Sequence, residues 1–418
     1  MPEITLHTSL LFDPKRKKFV EDISITVDPK TGLITKVFHR EHPIVLSEQD
    51  VDLRGKVVMP GFWLTNPSEA SAAKQKNEES MPERIIRAVN HCRRALLAGY
   101  TTYRDLGTES MQDTDTNVRD AIARGLIPGP RLFVATRAIA STGAIESTTE
   151  NRMGGHCLPS DADAADGVEE CRKAVRRRIT AGADIIKFYA DYRRRVMRSP
   201  PAQAHPYVPG VLHPPRDPNP DILVFSQEEM DMIVSEAKLA KCPVAAHAIS
   251  LEGAMMAIKA GVSSVEHACG VSDEMFQEML KTGCIMVPTL AILEKLRKQE
   301  LPRILTQVKH AHEAGVRIAC GGDTGTFNHG ENAREMELLI DAGLAIEDVL
   351  ESCTIGGWKT CGGDLCGRRF GWFEEGLQAD IIALETDPRT DKGALRKVDF
   401  VMKDAKIWKQ NGNAVDMI

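Results

Sequence analysis

Residues 181–189 read Ala181-Gly182-Ala183-Asp184-Ile185-Ile186-Lys187-Phe188-Tyr189, a helix stop followed by an apolar β run with a lysine near its end. A glycine just past a helix supplies the left-handed cap, and β-branched and aromatic residues favour a strand. The unit recurs along the chain. Ala98-Gly99 opens the run at 99–104, Ala260-Gly261 the run at 262–267, Thr282-Gly283 that at 284–288 and Ala314-Gly315 that at 316–321. Runs at 57–62, 131–137, 184–189 and 243–247 bring the total to eight, with helical stretches at 82–98, 166–181, 227–240, 251–260, 272–282 and 301–314 between them. Short strands alternating with amphipathic helices predict an α/β fold with a parallel sheet wrapped by helices. Eight units in about 260 residues predict a (β/α)8 TIM barrel.

The flanks differ. Residues 1–56 alternate as strands do, with Ile23-Ser24-Ile25-Thr26-Val27 and Leu33-Ile34-Thr35-Lys36-Val37 on either side of the turn Asp28-Pro29-Lys30-Thr31-Gly32. Short β runs return after residue 371, at 379–384 and 399–403. The expected organisation is a barrel over 57–370 and a small β-sandwich assembled from 1–56 and 371–418.

With 418 residues, 42% of them hydrophobic, the chain can bury a large core. Its 53 basic and 59 acidic residues are well mixed and give a net charge of -6, so neither nucleic acid nor a membrane is expected as a partner. The mixed charges of residues 1–19 leave no apolar core for a signal peptide. Ten scattered cysteines without a Cys-x-x-Cys pair predict free thiols and a cytoplasmic location. The partners expected are a small-molecule substrate and, at most, further copies of the chain.

Barrel enzymes carry their reactive groups at the C-terminal ends of strands. Lys187 lies near such an end, where a lone ammonium is costly to bury. His247 closes Val244-Ala245-Ala246-His247, His267 closes Val265-Glu266-His267, and Asp323 follows Cys320-Gly321-Gly322. Each has an ordinary structural reading, as a hydrogen-bonded histidine or a helix N-cap. Their order along the strands, together with Pro60-Gly61-Phe62-Trp63-Leu64-Thr65-Asn66-Pro67-Ser68, resembles the amidohydrolase superfamily. Further support comes from Gly129-Pro130-Arg131-Leu132 and Gln378-Ala379-Asp380. The branch it resembles is that of imidazolonepropionase-like proteins, with Xaa-Pro dipeptidases and ochratoxinase-type amidases.

The resemblance implies that Lys187, as a carbamate, joins His247, His267 and Asp323 as metal ligands. It also implies that Asp323 and Lys187 are catalytic, with Asp323 moving a proton from the attacking water to the leaving nitrogen. The family's first-strand motif has Asp-x-His-x-His where this chain has Asn66 and Ser68. Amide and hydroxyl oxygens are weak zinc ligands, so one divalent ion, zinc by preference, is expected instead of two. Asn66, Ser68 and Tyr189 are then candidate substrate contacts. His329, in Phe327-Asn328-His329-Gly330, is read either as a substrate contact or as a polar residue at a helix start. Arg193 and Arg194 begin a long Pro-rich segment leaving the Lys187 strand, the usual setting of a lid or binding loop, where they either grip an anionic substrate group or face solvent.

The function expected is hydrolysis of a small amide, lactam or dipeptide-like carbon–nitrogen bond. The alternative is a lyase, isomerase or cyclase acting on a specialised metabolite with weak or no metal. A binding protein without catalysis is the third reading.

Overall fold

The computed structural model describes residues 2–42, 45–65, 78–144, 147, 160–192, 203–204, 207–210, 212–213, 222–324 and 329–417. Asn66, Ser68, Arg193 and Arg194 lie outside them.

Both ends of the chain build one hydrogen-bonded sheet of nine strands. The N-terminal part contributes Ile4–Asp13, Lys18–Glu21, Ile23–Asp28, Leu33–His39 and Val51–Pro60, and the C-terminal part Ile381–Leu384, Val398–Lys403, Lys406–Gln410 and Asn413–Ala414. The two meet where Val51–Pro60 runs antiparallel to Ile381–Leu384, with Met59 opposite Ile382. Leu6, Ile25, Val58, Phe400 and Met402 bury one face of this sheet. The turn at 28–32 forms because Asp28 accepts hydrogen bonds from the Lys30 N–H at 2.9 Å and the Thr31 hydroxyl at 3.0 Å.

The run predicted at 57–62 is split between two sheets. Residues 57–60 continue the terminal sheet, past the boundary expected at 56, and Phe62–Thr65 pairs in parallel with Tyr100–Asp105. Gly61 sits at the switch because a Cβ there would lie 2.1 Å from the Thr101 hydroxyl oxygen. An apolar run shows that a strand is buried, not which neighbour it pairs with.

Phe62–Thr65, Tyr100–Asp105 and Arg131–Val134 form a three-stranded parallel sheet. A six-stranded parallel sheet carries, in order, Ala162–Ala164, Ala138–Ala140, Ile186–Tyr189, Val244–Ala248, Ser264–His267 and Ile285–Val287. The Asp184 N–H donates to the Val134 carbonyl at 2.8 Å, which joins the two sheets on one side. In place of a full strand at 316–321 there is a single parallel bridge between Met286 and Ile318. Helices pack outside, and their ends follow the local chemistry. Ser80 with Glu83 and Ser226 with Glu229 form capping boxes on Met81–Leu97 and Gln227–Leu239. Leu251–Ala260 and Asp273–Thr282 stop on left-handed Gly261 and Gly283.

Arg131 ties the parallel strands to the terminal sheet. Its guanidinium donates to Asp380 at 2.6 and 3.3 Å, to Gln378 at 3.1 Å and to Asp404. The stretches around Arg131 and Asp380 are thus joined by one contact. Arg131→Met would strand the buried Asp380 carboxylate, and we expect a loss of about 3 kcal/mol in calorimetric unfolding. Adding Asp380→Asn should recover part of it.

Candidate active site

Parallel register brings the strand ends together. Lys187 lies opposite Ala245, Tyr189 opposite His247, and Ala248 opposite His267. The His247 and His267 rings are 4.6 Å apart between centroids and nearly perpendicular, at 69°. Tyr189 packs on His247 at 4.9 Å, and Lys187 Nζ lies 5.9 Å from the Tyr189 ring centre. Lys187, Tyr189, His247, His267 and Asp323 all face one cavity of about 340 Å³, within the usual range of small-molecule sites. Its apolar wall is made by Ile249, Ile292, Leu293 and Leu296. Glu109, Glu266 and Arg297 are its other charged residues.

The backbone is strained where the chemistry sits. His267, Thr289 and Asp323 have φ of 72°, 52° and 52°, a region that costs a non-glycine residue on the order of 1 kcal/mol or more and persists when surrounding contacts impose it. One such contact is the 2.7 Å hydrogen bond between His267 Nδ1 and the Thr289 hydroxyl, which fixes the ring and occupies that nitrogen.

Burial, followed by the charges of His267 and Lys187, pushes the His247 pKa well below the usual histidine value. Burial also lowers that of His267, partly offset by the Asp323 carboxylate. Both imidazoles are therefore neutral at neutral pH, which is the form that binds metal.

Beneath the cavity lies an ion pair that sequence reading did not reveal. Arg104 donates to both oxygens of Glu266, at 2.8 and 3.0 Å, and to Ser264 Oγ at 2.9 Å. Ser264 Oγ in turn donates to Glu266 at 2.6 Å. An arginine and a glutamate within two short strands are the sequence signal for it. Asp191 is likewise occupied, accepting from the Ile249 N–H at 2.9 Å and the Ser250 N–H at 2.8 Å.

His329 does not line this cavity. It is buried and stacks on His91 at 4.0 Å, beside a second cavity of about 60 Å³ lined by Arg84, His91, Asp105 and Asp115. Between the two readings of His329, the structure places the ring away from this cavity, on His91 of the helix Met81–Leu97, shortly before the helix Ala333–Asp341.

A parallel-stranded α/β fold with lysine and two histidines at neighbouring strand ends and an aspartate on the same cavity defines a hydrolase-type site. The amidohydrolase family pattern matches residues 86–410, and the chain belongs to that family. It is 29% identical over 400 residues to ochratoxinase from Aspergillus niger, a match covering 86% of this chain and 77% of that one. The crystal structure of a Xaa-Pro dipeptidase with methionine bound in its active site is similar at a TM-score of 0.81 and 28% identity, covering 98% of this chain and 100% of that chain. The A. niger ochratoxinase structure is similar at 0.81 and 26% identity, covering 100% and 99%.

Members of the family generally use divalent metals, often zinc. The residues present fit one such ion. His247 Nε2 is buried and has no hydrogen-bond partner, its nearest carboxylate oxygen being Asp191 Oδ1 at 3.8 Å. A neutral imidazole with a buried, unused nitrogen is suited to a ligand role. Among the described residues no group of three His, Cys, Asp or Glu side chains is spaced to hold a metal. Nor, among those residues, is any helix long and apolar enough to cross a membrane.

Proposed function

We propose that the chain hydrolyses a small amide, lactam or dipeptide-like carbon–nitrogen bond with one divalent ion, on a (β/α)8 barrel of which the two parallel sheets are parts. The observation that carries this reading is the buried, unpartnered Nε2 of His247 beside His267 and Lys187. His247, His267 and Lys187, the last as a carbamate, would hold the ion, with Asp323 alongside. When bound, the ion supplies Lewis acidity that polarises the scissile carbonyl and acidifies water.

The remaining work belongs to the protein. Asp323, fixed at a positive φ on the cavity lining, takes the proton of the attacking water and returns it to the leaving nitrogen. Thr289 holds the His267 ring, and Tyr189 packs on that of His247. The apolar wall excludes water and receives the substrate's hydrocarbon part. The dipeptidase relative binds methionine, and a ligand of that size suits a cavity of about 340 Å³. The described cysteines are free and mostly buried, in keeping with a reducing cytoplasm.

Asn66 and Ser68 limit the site to one ion. Elemental analysis of protein purified without chelator should find about one equivalent of divalent metal, and dipeptide turnover should vanish with a chelator and return with zinc. Two tightly held equivalents would overturn the single-ion reading, and chelator-insensitive turnover the metal itself.

A further inference from the structure

The helix Leu290–Leu296 is capped by a residue other than its own. Thr289 is its N-cap, where a threonine hydroxyl ordinarily accepts a hydrogen bond from the second or third amide of the helix. Here the hydroxyl makes no such bond and meets His267 Nδ1 instead, at 2.7 Å. The first residues of the helix lie in the interior, Leu290 being 0% exposed and Ala291 2%, so their amides need another acceptor. Glu335 provides it from the helix Ala333–Asp341. One of its carboxyl oxygens accepts from the Leu290 N–H at 3.0 Å and the other from the Ala291 N–H at 2.7 Å. An acidic group suits this end of a helix, where the dipole is positive.

Two further observations tie the arrangement to the site. Glu335 is 0% exposed and does not line the catalytic cavity, whereas Thr289 does. Thr289 also has a φ of 52°, which a β-branched residue adopts only when its surroundings impose it. Bonds on either side of Thr289 do so. His267 holds its hydroxyl, and Glu335 holds the two amides that follow.

We propose that Glu335 is a positioning residue for the metal site: by capping the helix in place of Thr289, it leaves the Thr289 hydroxyl to orient the His267 ring. The role of His267 as a ligand belongs to the reading above; the hold on its ring does not depend on it. Glutamine at 335 keeps one acceptor oxygen where the carboxyl has two, and it sets an NH2 group beside an amide donor. The Ala291 N–H, the second amide of the helix, then has the Thr289 hydroxyl as its N-cap acceptor, and a hydroxyl that turns to it releases His267.

The test follows the His267 ring nitrogens by 15N NMR in the full-length protein without metal, with the signals assigned by their loss in His267→Gln. Thr289→Val removes the hydroxyl and defines the signals of a released ring. Glu335→Gln should move the His267 signals to the same position. Signals that stay where the parent protein has them overturn the proposal, whatever the variant loses in thermal stability. Zinc binding is the second readout. Each single variant should raise the zinc dissociation constant by roughly 10- to 100-fold, and the double variant by no more than the larger of the two, because both break one link. Losses that multiply in the double variant would show that Glu335 acts independently of Thr289, and the proposal fails. If the parent protein binds no zinc, the metal reading fails while the ring signals still decide the role of Glu335. Should Glu335→Gln not fold, Glu335→Asp, which withdraws the carboxyl by one methylene, takes its place with the same expected results.

Discussion

Lys187→Met should lose nearly all bound metal and at least about 1,000-fold in amide turnover, while the protein remains folded. Lys187 is buried on the cavity lining, and the two neutral imidazoles beside it are too few to retain an ion without it. Carboxylation requires the deprotonated amine, a form that burial favours. Methionine has a similar length and no charge to desolvate, so the thermal midpoint should stay level or rise. That opposition between stability and metal content separates ligand loss from misfolding. Full metal content in the variant, measured by elemental analysis, would remove Lys187 from the ligand set, and a collapsed midpoint would make it a structural residue.

The candidate site was legible in the sequence because its chemistry is local to strand ends. Lys187, His247, His267 and Asp323 each close or follow an apolar run; parallel pairing carries the first three to one cavity, which Asp323 also lines. Features that depend on distant partners were not legible. Arg104 and Glu266 are 162 positions apart, and nothing near either names the other. Arg297, in Leu296-Arg297-Lys298, carries no local signal of a site, yet the fold places it on the same cavity lining as the two histidines. Residues 57–60 have the composition of a barrel strand, yet the glycine at 61 lets the chain change sheets there. His329, which the sequence left open between a substrate contact and a polar residue at a helix start, is a different case. The direction of a side chain in a loop depends on the turn, which composition does not specify.

The Arg104–Glu266 pair couples the stability of the fold to the state of the site. Arg104 is 0% exposed and Glu266 2%, and Arg104 also lies over the Trp63 ring at 5.3 Å. Removing one member of such a pair leaves the other charge buried and uncompensated, so Arg104→Met should cost about 3–5 kcal/mol in thermal unfolding. The loss should reach the metal site as well. Glu266 immediately precedes His267, whose strained backbone is held by the surrounding contacts, and both residues line the cavity. Once released from Arg104, Glu266 is free to turn toward the histidines, which would draw His267 away from its bond with Thr289. Metal content and turnover should therefore fall together with stability. Adding Glu266→Leu removes the stranded charge, and since an apolar replacement of a buried pair is often neutral, the double variant should regain most of the lost stability. It should not regain full metal binding if the pair sets the position of His267. A double variant as unstable as the sum of the single losses would show that packing around Trp63, rather than the ion pair, holds this layer of the fold.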